Sequence, residues 1–175
     1  PPSSNNYGLP LAGYTVVKPD PPHNGVVMTY PDASQPTSLK NRDLGIEYRM
    51  KVSKALDNKH VIVDYYVHDT TGTGPRTFFM GSGSDTKIKG DDLANVLWTG
   101  RSFHMVNRTS LETLDLVLND SDLGLTPPDK TYVGLYYQYW DYMFTGNNVT
   151  SFGGSDSGLS YSWKFNLNPY ETVHR

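Results

Sequence analysis

Apolar side chains return at every second residue in several stretches of this chain, and a period of two is the signature of strands with one buried face. Ile46, Tyr48, Met50 and Val52 alternate with Glu47, Arg49 and Lys51. Asp57-Asn58-Lys59 supplies turn chemistry, and then Val61, Val63, Tyr65 and Val67 alternate with Ile62, Asp64, Tyr66 and His68. Together the two runs predict a hairpin. A short strand over Thr77–Met80 lies between Gly/Ser/Thr loops at Thr70–Gly74 and Gly81–Asp85, the second read as a flexible hairpin tip. Asp91–Leu97 fits either one helical turn or a strand. Arg101–Val106 and Leu111–Leu118 read as strands, and Asn119–Lys130 as a polar loop closed by Pro127-Pro128. The clearest pattern comes last. Leu159, Tyr161, Trp163, Phe165 and Leu167 face one way, while Ser160, Ser162, Lys164 and Asn166 face the other. That strand should place Tyr161, Trp163 and Phe165 in the core. Residues 1–40 are rich in Pro, Ser and Asn. They read as an extended arm laid over a single β domain of residues 41–175, because proline confines sheet pairing to edges. The predicted fold is all-β, a two-sheet β-sandwich of antiparallel strands.

One segment breaks the alternation. Tyr132–Phe144 reads Tyr-Val-Gly-Leu-Tyr-Tyr-Gln-Tyr-Trp-Asp-Tyr-Met-Phe, with too many rings for one buried strand face. Two strands are expected here, turning near Gln138–Asp141 or after Phe144, with some rings left at the surface. An exposed Tyr or Trp offers a rigid apolar plate with a hydrogen-bonding edge, which suits the apolar face and hydroxyl rim of a sugar. Tyr136, Tyr137, Tyr139, Trp140 and Tyr142 are therefore the candidate plates, with Arg101, Asn147 and Asn148 as candidate polar partners. The same composition also fits a hairpin packed under loops, with Trp140 and alternate tyrosines in the core.

Composition narrows the field. Tyr 13 and Phe 6 beside Gly 16 and Pro 12 suit a turn-rich β domain better than a helical bundle. A net charge of −3, with Lys and Arg dispersed, gives no electrostatic footprint for nucleic acid or an anionic membrane. No apolar run is long enough to insert into a bilayer. The absence of cysteine removes disulfides, thiolate metal sites and cysteine nucleophiles together, and fits a protein folded in a reducing compartment. His23, His60, His68, His104 and His174 lack zinc-ligand spacing. Glu47 and Glu112 could form the carboxylate pair of a jelly-roll glycosidase, although solvated surface charges describe them better. Asp91-Asp92 and Asn119-Asp120-Ser121-Asp122 lack the spacing of a calcium loop. The sequence thus offers no catalytic residue, no metal and no cofactor. Three glycosylation patterns begin at Asn107, Asn119 and Asn148.

The order of several short motifs resembles the glycan-binding head of the rotavirus outer-capsid spike protein, the fragment released by trypsin. Leu11-Ala12-Gly13-Tyr14, Pro19–Pro22 and Asn24-Gly25-Val26-Val27 follow the family's order at the start. Val133-Gly134-Leu135-Tyr136, Met143-Phe144-Thr145-Gly146, Ser151–Gly158 and Leu159–Pro169 follow it at the end. The chain departs from the family where Gly146-Asn147-Asn148-Val149 replaces a Gly-Glu-Thr-Pro turn. The arginine that holds sialic acid in some strains also lacks a clear counterpart, its nearest position being Asn58-Lys59-His60. The resemblance therefore implies a divergent rotavirus species and does not carry sialic-acid binding at that site. It further implies a galectin-like sandwich and a non-catalytic lectin role, host cell attachment through surface glycans. The expected location is the virion outer capsid, reached from the host cytoplasm and endoplasmic reticulum during assembly, with the remainder of the spike as partner. By place in the family pattern, Lys59, His60, Ser155, Asp156 and Ser157 form a second, weaker candidate patch. A spike head also predicts a trypsin-resistant core ending at or shortly before Arg175. A bacterial fimbrial or surface adhesin, a jelly-roll glycoside hydrolase and a structural capsid domain remain the competing readings.

Overall fold

The computed structural model describes the backbone of residues 15–17, 27–29, 37–41, 45–54 and 59–175, and the side chains of residues 45–48 and 59–175. Most of the 1–40 arm, the Asp57-Asn58 turn and the family-like segments at residues 11–14, 19–22 and 24–26 lie outside the described residues. In chain order the strands begin with β1 (Thr15–Val17), β2 (Val27–Thr29), β3 (Thr37–Asn41), β4 (Ile46–Lys54), β5 (Val61–Asp69) and β6 (Arg76–Asp85). They continue with β7 (Asn95–Trp98), β8 (Ser102–Val106), β9 (Thr113–Val117), β10 (Lys130–Leu135), β11 (Ser151–Phe152), β12 (Ser157–Leu167) and β13 (Thr172–His174). The described chain is all-β and antiparallel, with a single short helix, α1 (Tyr139–Tyr142). It forms two compact units, one of Thr77–Phe165 and one of the earlier residues together with Asn166–Arg175.

In the second of these units β1 pairs with β2, and a separate sheet runs in the order β13-β5-β4-β3. The expected hairpin is β4–β5, with Tyr48 opposite Val67 and Met50 opposite Tyr65. Of its expected inward positions Ile46, Tyr65 and Val67 are buried, Tyr48 and Val63 are half-buried, and Val61, at the end of the strand away from the core, is 65 % exposed. The same face buries Asp69, whose carboxylate accepts from the Gly72 and Tyr170 amides (2.8 and 3.0 Å), Thr71 Oγ1 (3.1 Å) and the Arg76 guanidinium. A buried carboxylate is tolerated there because each oxygen is satisfied.

Thr77–Phe165 is a sandwich in its own right. One sheet runs β10-β12-β6 and the other β11-β7-β8-β9. Phe103 of β8 meets Tyr161 of β12 across the interior, ring centroids 6.3 Å apart, and Trp163 sits edge-on to Tyr161 at 5.3 Å. Tyr161, Trp163 and Phe165 are all buried, as the alternation of β12 requires. Each large ring removed from water contributes about 1.5–3 kcal/mol, so this row anchors the unit. Where the interior is polar, it is paired. Ser157 Oγ donates to the Ala94 carbonyl (2.7 Å) and Thr86 Oγ1 to the Ser157 carbonyl (2.8 Å).

Three expectations need correction, and one open reading is resolved. Gly81–Asp85 is the second half of β6, a ten-residue strand, and not a flexible tip. Asp91–Leu97 resolves into a bridge between Ile88 and Asp91, a turn, and then β7. β9 starts only at Thr113, because Asn107 Oδ1 takes the Thr109 and Ser110 amides (2.8 Å each) and turns the chain, and Leu111 follows at φ 58°. Ser160 and Ser162 do not face solvent but are buried, at 0 and 1 % exposure. A further layer lies over that face of β12, and it carries the aromatic segment.

Candidate functional site

The aromatic segment does not make two strands. β10 ends at Leu135, a 3-10 turn takes Tyr136–Gln138, and α1 follows. Successive side chains of a helical turn point in different directions, so closely spaced rings spread around the turn where a strand would force them onto two faces. Trp140 and Met143, three residues apart, turn inward and are buried, whereas Tyr136, Tyr137 and Tyr142 remain exposed. Two serines of β12 fix this layer: Ser160 Oγ donates to the Tyr139 carbonyl (2.9 Å) and Ser162 Oγ to that of Met143 (2.7 Å). Glycines make the bed beneath it. A Cβ at Gly81 would lie 2.7 Å from the Met143 sulfur, and one at Gly158 2.7 Å from the Tyr136 Cα. At Gly83 a Cβ would collide with the Tyr139 ring. Gly81 and Gly83 are strand residues because the layer above them needs the space a side chain would take.

Three of the candidate plates thus present themselves. Tyr142 stacks on buried Tyr132 with centroids 5.2 Å apart and planes 3° from parallel. The Tyr132 hydroxyl donates to the Leu135 carbonyl (3.0 Å), and burial, aided by Tyr142 and Tyr137 nearby, pushes its pKa up to about 12. Tyr132 is therefore a neutral, fixed backing for the Tyr142 ring. Tyr136 and Tyr137 meet edge to face at 6.0 Å. The hydroxyls of Tyr136, Tyr137 and Tyr142 make no hydrogen bond within the described residues. Trp140 and Tyr139 are not plates: Trp140 is core, and Tyr139 is half-buried over the glycine bed.

Immediately after α1 the chain turns. The Tyr142 carbonyl accepts from the Thr145 and Gly146 amides (3.3 and 2.7 Å), and Gly146 takes φ 70° with the Thr131 carbonyl 3.0 Å from where a Cβ would be. The turn walls a polar recess of about 400 Å³ lined by Asp129–Thr131 and Thr145–Asn148. Asn147 is spent on structure: its Nδ2 donates to the Val133 carbonyl (3.0 Å) and its Oδ1 accepts from the Val133 amide (3.4 Å). Asn148 is exposed, and its side chain is uncommitted among the described residues. The recess residues Asp129, Lys130, Thr131 and Thr145 carry no sequence pattern, and only the fold brings them to the aromatic turn.

Arg101 does not line this recess. Its guanidinium is paired with Asp120, which raises the arginine pKa and lowers that of the aspartate. Asp120 also caps the 3-10 turn Ser121–Leu123 through the Asp122 amide (3.0 Å). The second patch is divided between the two units, Lys59 and His60 in one and Ser155–Ser157 in the other. Ser157 is buried in the interior hydrogen bonds described above.

The acidic residues likewise have structural duties. Asp91 is held at about pKa 2 by the Arg108 side chain (3.0 Å) and amide (2.7 Å). Glu112 is lowered by Lys89 (2.5 Å) and Ser110 (2.8 Å), the opposite of what a general acid requires. Asp85, Asp92 and Asp156 bring carboxylate oxygens within 4.8 Å of one another, the group among the described residues that could hold an ion. Lys87 already neutralises Asp92 at 3.1 Å. Burial first, then the neighbouring charges, raises the pKa of Asp85 and of Asp156. Of the three glycosylation patterns, that at Asn107 has its side chain buried and bonded to the Ile88 carbonyl (2.8 Å).

Searches of family models, of curated proteins and of solved structures found no match to this chain.

Proposed function

We propose that this chain is a non-catalytic attachment domain that binds glycans on a host cell surface, as the resemblance to a rotavirus spike head implies, with a galectin-like sandwich as its framework. The observation that supports it most directly is the Tyr142 ring. It is 40 % exposed, backed in parallel by Tyr132, and its own carbonyl anchors the turn that walls the polar recess. A fixed apolar plate beside uncommitted polar groups is what a saccharide needs, since stacking covers its CH face and the recess meets its hydroxyls. Stacking on Tyr132 pre-orients the plate, which lessens the ordering entropy lost on binding. Tyr136 and Tyr137 would extend the apolar surface, and Asn148 would donate and accept at its edge. In this reading the domain sits on the virion outer capsid, joined to the remainder of the spike.

A glycan array probed with the purified domain, followed by Tyr142→Ala and Asn148→Ala, tests the proposal. Retention of one glycan class without hydrolysis is expected, lost at least tenfold in Tyr142→Ala, since one aromatic contact contributes on the order of 1–3 kcal/mol. The melting transition should stay within about 3 °C of the parent. No glycan retained, or retention unaffected by both variants, would overturn the assignment.

A further inference from the structure

The outer face of the β11-β7-β8-β9 sheet carries a feature that the aromatic site does not use. The strand registers align Ser151, Leu97, His104 and Asp115 as one rung across all four strands. The next rung on that face places Asn95 beside Val106 and Thr113. The opposite face of these strands is the core, with Val96, Phe103 and Met105 buried. A groove of about 590 Å³ runs over the rungs, bounded by Asn95, Leu97, His104, Val106, Ser151 and Phe152. Gly153 closes one end so tightly that a Cβ would collide with the Asn95 amide.

The chemistry of this groove is specific. Leu97 sits at its centre and is 42 % exposed, an apolar pad flanked by a hydroxyl on one strand and an imidazole on the other. Ser151 and His104 are separated by two strand spacings, about 10 Å. His104 is oriented by its Nδ1, which lies 2.9 Å from Asp115 Oδ1. With Nδ1 engaged by that carboxylate, Nε2 is the ring nitrogen left for a ligand. The side chains of Asn95 and Ser151 make no hydrogen bond within the described residues and supply donors and acceptors at the rim. Among the described residues no lysine or arginine lines the groove, and Asp115 ends its central rung.

We propose that this groove is a second ligand site, independent of the aromatic one, and that it takes a neutral saccharide. The apolar face of one sugar ring rests on Leu97, and ring hydroxyls exchange hydrogen bonds with His104 Nε2, Ser151 and Asn95. The volume falls within the range of small-molecule sites. A carboxylated sugar is disfavoured, because it would bring a negative charge into a groove whose central rung ends in Asp115 and whose described lining holds no lysine or arginine.

The test is a ¹⁵N–¹H titration of the whole chain with methyl glucoside, galactoside, mannoside and N-acetylglucosaminide, and with methyl glucuronide, at millimolar concentrations. One or more of the neutral glycosides should move the Leu97, His104 and Ser151 amides along a common saturating curve, and the glucuronide should bind more weakly than the glucoside. His104→Ala should weaken that binding roughly fivefold, as loss of one hydrogen bond does. Leu97→Asp, at an exposed position, should abolish it and serves as the readout if His104→Ala lowers the melting temperature. Tyr142→Ala should leave it unchanged, which separates this site from the aromatic one. The proposal is overturned if no neutral glycoside gives a saturating shift, if shifts appear only over Tyr136–Asn148, or if Leu97→Asp binds as the parent does. A glucuronide that binds as tightly as the glucoside would overturn the preference for neutral sugars.

Discussion

Two sets of carboxylates among the described residues act on stability in opposite directions. Asp69 is held well below the usual carboxylate range, first by the Tyr170 amide and then by the Gly72 amide, Arg76 and Thr71. Asp91 is held at about 2 by Arg108. Both are lower in the folded chain than in the unfolded one, so they stabilise the fold above about pH 4, the ordinary aspartate value. As pH falls from there through the folded pKa, near 2 for Asp91, the unfolded chain takes up protons first and that stability is lost. Asp85 and Asp156 are raised, so their ionised forms cost stability above the raised pKa, and the cost disappears as pH falls toward 4. Asp156→Asn should therefore raise the melting temperature at pH 7 by about 1–3 °C, with the gain shrinking by pH 4. Asp69→Asn should lower it by roughly 5 °C or more at pH 7, with the loss shrinking below pH 3. Melting curves across this range check both, and a gain in the first variant that grows on acidification would contradict the assignment of Asp156.

At the scale of elements, the strands with one buried face were legible. The β4–β5 hairpin forms as expected and β5 buries Tyr65 and Val67, though not Val61, and the rings of β12 are core. Alternation misled wherever a second layer covered the polar face. Ser160 and Ser162 look like solvent positions in the sequence, but their hydroxyls clip the Tyr139 and Met143 carbonyls. Gly81 and Gly83 look like a loop, but they are the gap into which Met143 and Tyr139 pack. Ser162→Ala leaves the Met143 carbonyl without that partner in a buried setting, and the expected cost is about 1–3 kcal/mol in chemical denaturation. Gly83→Val should displace the aromatic turn itself and remove the plates. Its signature is a lowered denaturation midpoint and, under the proposed function, loss of glycan retention. A Gly83→Val protein with the stability and binding of the parent would mean that Tyr139 does not rest on β6.

For the molecule as a whole, the two compact units bear on protease resistance. Between Leu111 and Leu167 the sites for trypsin are Lys130 and Lys164, and both lie within paired strands, β10 and β12. The Arg175 amide and carbonyl both bond to Tyr65 (2.9 and 2.8 Å), which holds the β13 edge onto β5. A protease needs an extended, unpaired segment, so neither lysine should be cut in the native protein. Mass spectrometry of a timed tryptic digest reads this directly, and early fragments ending at Lys130 or Lys164 would show that the β10-β12-β6 sheet opens locally.

The sequence alone determined the fold class, the β4–β5 pairing and the inward rings of β12, because each depends on side chains whose two-residue period is set by the backbone. It also located the aromatic surface to within a few residues, since so many rings cannot all be buried. Tertiary structure decided which rings are plates and which are core, because that depends on a helical turn held by serines and glycines of strands distant in the chain. It decided that Asn147 is structural and Arg101 is paired, because a side chain's availability depends on partners the local sequence does not name. It alone assembled the Ser151–Leu97–His104–Asp115 rung, four residues from four strands whose alignment is a property of register and leaves no mark on any one of them.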